Sequence, residues 1–269
     1  MGEATVPGTV TGSAPGAGEF RFDFTGKRVV ITGGSRGLGF EMARAFSLLG
    51  AEVLIASRRL ESCEDAARRI TAETGGAVHA RSVRVTDWDE VTAFAEVAWD
   101  VLGGVDVLVN NAGSSPLYDS ITGIEEALFD KVLGLNLKGP FRLAALLSER
   151  MIDAGIEGSV VNISSIASLY PKPATVPYSA AKAGLNAVTV ALAHAYGPHV
   201  RVNCVVPGTF LTDVSKHWDM GAFEQRAQSF AMKRGGDPKE IVGAVLYLSS
   251  SLASYTTGTL ITVDGGAPA

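Results

Sequence analysis

Tyr178 and Lys182 stand four residues apart in the run Pro177-Tyr178-Ser179-Ala180-Ala181-Lys182-Ala183. On a helix, residues at i and i+4 share one face, so the phenol and the ammonium can converge on one ligand. A free tyrosine has a pKa of roughly 10, too high to trade protons readily near neutrality. A fixed cation beside it favours the phenolate and lowers that value. The pair is therefore a candidate general acid/base. Ser165 lies thirteen residues before Tyr178, at the end of Val160-Val161-Asn162-Ile163-Ser164-Ser165, a strand-like run closed by two hydroxyls.

Such groups need a scaffold. Arg28-Val29-Val30-Ile31-Thr32 is a β-branched run suited to a fully buried parallel strand, and it leads straight into Gly33-Gly34-Ser35-Arg36-Gly37-Leu38-Gly39. An amphipathic stretch from Phe40 to Leu49 follows and stops at Gly50. Strand, glycine turn and helix in that order make a phosphate cradle: backbone can approach a pyrophosphate, and the helix N-terminus offers free N–H groups. The spacing is Gly-x-x-x-Gly-x-Gly, distinct from the usual Gly-x-Gly-x-x-Gly. Further along, Val105 to Val109 ends in Asn110-Asn111-Ala112-Gly113, Asn136 sits in Gly134-Leu135-Asn136-Leu137-Lys138-Gly139, and Val202 to Val206 leads into Pro207-Gly208-Thr209-Phe210-Leu211-Thr212.

Strands are expected near 28–32, 52–56, 78–83, 105–109, 158–163, 200–206 and 259–263, with helices near 38–49, 60–72, 88–102, 124–151, 177–196 and 238–249, and a shorter irregular pair near 213–230. This alternation predicts one α/β domain, a Rossmann-type doubly wound parallel sheet of seven strands. The domain is expected over 21–269, with a substrate lid at about 209–236.

In identity, order and spacing, the motifs from residue 25 to 267 resemble those of the short-chain dehydrogenase/reductase family. The resemblance implies the sheet order 3-2-1-4-5-6-7 and an NAD(P)(H)-dependent oxidoreductase that interconverts a carbonyl and a secondary alcohol. It implies a catalytic tetrad of Asn136, Ser165, Tyr178 and Lys182. Thr32, Gly33, Ser35, Arg36, Gly37, Leu38 and Gly39 match the cofactor loop. Asn110, Ala112 and Gly113 match the motif that braces the sheet beside the adenosine, with Val85 near the adenine. Pro207, Gly208 and Thr212 match the loop at the nicotinamide end, which Tyr178 and Lys182 also reach. By the same resemblance Tyr178 would donate a proton to the carbonyl oxygen, and Lys182 would lower its pKa and hold the nicotinamide ribose. Ser165 would polarise the carbonyl, and Asn136 would place a water for reprotonation. The helices near 124–151 and 177–196 would pair between subunits of a homotetramer, with the C-terminal strand as a second contact.

An acid at the end of the second strand would bind the ribose diol of NAD and repel a 2′-phosphate. Here Val53-Leu54-Ile55-Ala56 is followed by Ser57-Arg58-Arg59, with no carboxylate. Arg58 and Arg36 can offer planar forks to a phosphate, so NADP(H) is expected over NAD(H). One position departs from the family pattern: the third strand's end, where an acid often meets the adenine amine, carries Arg84. Asp87 or the Val85 backbone could replace that contact.

Composition narrows the classes. The chain has 269 residues and 31 glycines, which suits one large α/β domain with many tight turns. A net charge of −5 without a basic run argues against a nucleic-acid partner, and no apolar segment approaches membrane-spanning length. Met1 to Gly18, rich in Gly, Ala, Thr and Pro, reads as a disordered tail. Cys63 and Cys204 are expected in a helix and a buried strand, which points away from a disulfide and towards a reducing cytoplasm. His79, His194, His199 and His217 have neither ligand spacing nor an evident partner, and no metal is expected.

The partner is a small carbonyl or alcohol. The lid carries Phe210, Leu211, Trp218, Met220, Phe223, Phe230 and Met232, with Leu117, Tyr118, Leu169 and Tyr170 candidates for the opposite wall. This composition suits an apolar pocket for an acyl chain, an alicyclic ketone or an aromatic ketone, and equally a lid packed on the sheet. A 3-oxoacyl thioester reductase, a sugar or polyol dehydrogenase and a non-catalytic dinucleotide sensor all stay open.

Overall fold

Seven short runs lie side by side; the five inner ones are rich in buried β-branched and small apolar residues and must be covered on both faces, and the two edge runs are only partly buried. In the computed structural model, which describes residues 21–213, 215 and 219–268, these runs are β1 (Arg28–Thr32), β2 (Glu52–Ser57), β3 (Val78–Ser82), β4 (Val107–Asn110), β5 (Gly158–Ile163), β6 (Val200–Pro207) and β7 (Leu260–Val263). They form one sheet in the order β3-β2-β1-β4-β5-β6-β7, and every neighbouring pair is parallel. The expected tail, Met1–Gly18, and Trp218 and His217 lie outside the described residues.

Helices cover both faces: α1 (Gly37–Leu48), α2 (Leu60–Thr74), α3 (Trp88–Leu102), α4 (Glu126–Leu133), α5 (Gly139–Asp153), α6 (Val176–Tyr196), α7 (Met220–Ala227) and α8 (Val242–Ser249). One core layer packs Phe24, Phe46 and Ile70 against Val29, Ile31, Val53 and Ile55. On the other face Leu143, Leu147 and Met151 meet Val30, Leu54, Leu108 and Val160. Alternate residues of one strand thus serve opposite layers, as the pleat requires.

The helix expected over 124–151 is not continuous. Between α4 and α5 the backbone opens into a π turn over Gly134–Lys138, a widening that recurs at functional sites. Where α5 begins, a Cβ on Gly139 would lie 2.1 Å from the Val85 carbonyl oxygen, so the helix meets the turn after β3 with backbone alone. Of the irregular pair expected near 213–230, the described residues contain one regular helix, α7.

Candidate active site

Parallel strands all end on one edge of a sheet, so the loops after β1, β2, β4, β5 and β6 gather there. Pro177 opens α6, a position where the missing N–H costs nothing, and Tyr178 and Lys182 follow on its first two turns. Lys182 is 3% exposed. Its Nζ donates to the Ile163 carbonyl at 2.7 Å and lies 5.9 Å from the Tyr178 ring centroid. Burial pushes the ammonium's pKa down to about 8.

Tyr178 is half-buried, with its hydroxyl at the buried end. Burial holds that hydroxyl above its ordinary pKa, and the neighbouring Ser165 hydroxyl draws it back. The ammonium and the phenol share one face, as the spacing predicts, while the ammonium's hydrogen bond goes to Ile163. Ser165 itself caps a single 3-10 turn, Ile166–Ser168, its Oγ accepting from the Ala167 N–H at 3.2 Å.

Asn136 lies on the π turn and is fully buried. Its Nδ2 donates to Val132 O at 2.9 Å and to Ser114 O at 3.0 Å, while Oδ1 accepts from the Ser114 N–H at 3.3 Å. The side chain therefore braces the loop after β4. A Cβ on Gly113 would lie 2.8 Å from Asn136 Oδ1 and 3.5 Å from Lys182 Nζ, so only a glycine backbone fits between them.

The glycine turn fits a dinucleotide. Gly33 adopts φ 69°, and a Cβ on Gly39 would come within 2.2 Å of the Gly33 carbonyl. The start of α1 is thus pressed onto the turn with its first N–H groups facing outward. Ser35 and Leu38 are half-buried there and Arg36 is exposed as the N-cap. Thr32 Oγ1 accepts from the N–H groups of Asn111 and Ala112, each at 3.1 Å. Thr212 stands opposite Gly37, where a Cβ would lie 3.6 Å from its Cγ2. Pro207 ends β6, and the Gly208 N–H bonds Val263 O at 2.9 Å.

At the end of β2, Ser57 Oγ meets Cys63 Sγ at 3.0 Å. Arg58 follows, exposed, and neither it nor Arg36 forms an ion pair among the described residues. Asp87 is not free to meet an adenine from its Oδ1, which caps α3 by accepting from Asp89 and Glu90 N–H groups. The Arg84 N–H is held by Glu90 at 2.7 Å. The Val85 side chain is buried.

Asn110 braces rather than binds. Its Nδ2 reaches Pro140 O at 3.1 Å and Asn162 Oδ1 at 3.0 Å, and Asn162 Nδ2 donates in turn to Thr189 Oγ1 at 2.9 Å. This buried chain ties β4, β5, α5 and α6 together. The structure adds Asn111, whose Nδ2 holds the Thr32 and Gly33 carbonyls at 3.0 and 3.1 Å. The sequence signal for Asn162 was present: a lone amide in an otherwise apolar strand must find a buried partner.

Two further expectations change. His79 has a partner, Glu52 at 2.7 Å across the β2–β3 edge. Phe210, Phe223 and Phe230 are buried, the latter two in a small cluster of the lid's own, so they pack the lid. Leu211, Met220 and Met232 remain exposed, as do Leu117, Leu169 and Tyr170. Tyr118 borders a crevice with Ser115, Pro116, Pro177 and Tyr178. No helix among the described residues is long and apolar enough to cross a membrane.

Residues 33–268 match the family described as Enoyl-(Acyl carrier protein) reductase. The chain is 36% identical over 242 residues to 3-oxoacyl-(acyl-carrier-protein) reductase FabG of Chlamydia muridarum, covering 89% of this chain and 96% of that protein. It is 34% identical over 247 residues to L-rhamnose 1-dehydrogenase (NAD(P)(+)) of Azotobacter vinelandii, covering 89% and 96%. Its fold superposes on the NADPH-dependent 3-quinuclidinone reductase of Rhodotorula rubra with a TM-score of 0.87 at 27% identity, covering 96% and 97% of the two chains. With the seven-stranded sheet and the loops at its edge, these likenesses settle the family: the chain is a short-chain dehydrogenase/reductase, an oxidoreductase acting on CH–OH groups with a nicotinamide cofactor.

Proposed function

We propose that this enzyme reduces a fairly apolar ketone or 3-oxoacyl thioester with NADPH, or runs the reverse oxidation, with Tyr178 as general acid/base. The observation that carries the reading is the convergence of α6 and the turn after β5: the Ser165 hydroxyl acts on the buried Tyr178 hydroxyl, and Lys182 Nζ lies 5.9 Å from the Tyr178 ring. A carbonyl oxygen reaching that point meets two hydroxyls, one to transfer a proton and one to polarise the bond. The bound nicotinamide supplies or accepts the hydride. Thr32, Gly33, Gly37, Gly39, Ala112, Gly113, Pro207, Gly208 and Thr212 would hold the dinucleotide along the sheet edge.

Tyr178 gives its proton to the substrate oxygen. Lys182, with a pKa of about 8, can return one to it from solvent near neutrality. Because the Asn136 side chain is fully engaged with Val132 and Ser114, its share of that proton path falls to its main-chain carbonyl. Arg58, exposed after a strand end without a carboxylate, and Arg36, exposed in the glycine turn, form no ion pair among the described residues and support a 2′-phosphate and hence NADPH. The apolar character of the substrate is supported by Pro116, Leu128, Val132 and Pro177, which line the crevice at Tyr178. The FabG relative, named for a 3-oxoacyl thioester, accords with it; L-rhamnose 1-dehydrogenase keeps a sugar as the second reading. We further assign a homotetramer in a reducing cytoplasm, in keeping with two buried free cysteines.

The test is turnover with NADPH on a panel holding a 3-oxoacyl thioester, an alicyclic ketone, an aromatic ketone and, in the oxidative direction, a sugar and a polyol. Tyr178→Phe should abolish the activity found while leaving NADPH affinity within about twofold, as removal of one hydroxyl from the reacting centre requires. Turnover by the phenylalanine variant at the wild-type rate would overturn the assignment. A panel giving activity only on the sugar would select the second reading.

A further inference from the structure

Tyr178, Lys182 and Asn186 recur every fourth residue of α6, so Asn186 sits one turn beyond Lys182 on the same face. Asn186 Nδ2 donates to Ser168 Oγ at 2.8 Å. Ser168 Oγ donates to the main-chain oxygen of Ser165 at 2.6 Å. The direction follows from chemistry. A carbonyl can only accept, so the single proton of the Ser168 hydroxyl points at Ser165 and its lone pairs are left for the amide. The Asn186 amide is thereby oriented with Oδ1 towards Cys204 Sγ, 3.6 Å away, a thiol whose pKa burial raises to about 11 and which therefore stays a donor. One-way donation runs from β6 through α6 to the serine beside Tyr178.

Ser165 needs such support. The β5 ladder ends at Ile163, and Ser164 is the last residue held to β6, its N–H bonding Val205 O at 2.8 Å. Beyond that point the Ser165 carbonyl already accepts the Ser168 N–H at 2.9 Å, so the Ser168 hydroxyl is not required to satisfy it. The extra bond fixes the tilt of the turn that carries the Ser165 hydroxyl.

We propose that Asn186 and Ser168 are positioning residues, which hold the turn after β5 so that the Ser165 hydroxyl meets Tyr178 and which touch neither substrate nor cofactor themselves. The inference rests on Ser165 and Tyr178 being the reacting pair. Its test is made without turnover, so that it stands apart from the substrate reading.

Tyrosine ring-labelled protein is titrated by NMR through the alkaline range, with the Tyr178 signal identified by its loss in Tyr178→Phe. The titratable groups around Tyr178 are Lys182 on its own helix, Cys204 behind Lys182 on β6, and Tyr118 across the crevice. None is altered in the variants. Because the Ser165 hydroxyl favours the phenolate, a loosened Ser165 moves the Tyr178 midpoint upward. Asn186→Leu, which keeps the branched shape but donates nothing, and Ser168→Ala should each raise it by about half to one pH unit, a roughly three- to tenfold loss of bias towards the phenolate. Members of one chain act as a unit, so the double variant should shift it no further than either single one. Ser168→Thr, which restores the hydroxyl, should bring the midpoint back. An unmoved midpoint in both single variants, or additive shifts in the double variant, would overturn the proposal. If Asn186→Leu does not fold, the Ser168→Ala and Ser168→Thr pair decides it alone.

Discussion

Replacing Lys182 with methionine should stabilise the protein as it inactivates it. The lysine is 3% exposed, and its pKa falls from 10.5 to about 8 because burial penalises the charge. A shift of that size corresponds to about 3 kcal/mol of stability withheld while the ammonium is charged. Methionine fills a similar space without the charge, but it forgoes the 2.7 Å bond to the Ile163 carbonyl, worth about 1 kcal/mol. The balance is a gain of about 2 kcal/mol near neutrality. The sign through pH is fixed by the two pKa values. Below about 8 the lysine is charged in both folded and unfolded chains, and the whole cost is present. Between about 8 and 10.5 the unfolded chain binds more protons, so wild-type stability rises with pH relative to the variant. Above 10.5 both states are neutral and the gap has closed. Urea unfolding of the two proteins without cofactor, at about pH 7 and about pH 10, isolates this one group because all other titrations are shared. A methionine variant no more stable at neutral pH, or a gap unchanged at the higher pH, would refute the reasoning.

Arg58→Ala should weaken NADPH by roughly ten- to a hundredfold, the worth of one charge-assisted bond, and leave NADH nearly untouched; Ala56→Asp or Ser57→Asp should reverse the preference, read as the ratio of kcat/KM for the two cofactors. Equal use of both cofactors by wild type would mean that the arginines are solvated charges. Gly39→Ala places a methyl 2.2 Å from the Gly33 carbonyl, so it should cost about 1–3 kcal/mol in urea unfolding and remove measurable cofactor binding. Sedimentation at micromolar concentration should find a tetramer; a monomer alone would contradict the pairing of α5 and α6 between subunits.

The scaffold was legible because a strand buried on both faces must be an unbroken apolar run. Val29-Val30-Ile31 and Val53-Leu54-Ile55 leave no alternative register of polar residues to expose, and their boundaries fall within a residue or two of those expected. The Tyr178–Lys182 spacing was legible for the same kind of reason, since a helix converts four residues into one face. What spacing does not carry is the partner of each group. The ammonium lies beside the phenol ring as the spacing predicts, but its hydrogen bond goes to the main-chain oxygen of Ile163, nineteen residues away. Nothing in Gly134 to Gly139 forbids a regular helix either. The approach of the Val85 carbonyl to Gly139 comes from the turn after β3, far away in sequence, and His79 meets Glu52 only because β2 and β3 are adjacent.

The lid shows most clearly where composition stops being informative. Seven large apolar residues over 209–236 are compatible with a pocket wall or with a plug, because hydrophobicity states only that a side chain avoids water, not what it turns to instead. The structure divides them. Phe223 and Phe230 close on Ala227, Phe210 joins the core under the sheet, and Leu211, Met220 and Met232 face outward. Phe223 and Phe230 thus form a small cluster apart, while Phe210 anchors the segment in the main core. The residues left to meet a substrate are therefore flexible aliphatic and thioether side chains, which adapt to a ligand's shape more readily than stacked rings do. Selectivity among ketones would then rest on the rigid side of the crevice. There Tyr118 is fixed by donating its hydroxyl proton to Pro173 O and accepting from the Val176 N–H at 2.8 Å, at the first residue of the helix that carries Tyr178.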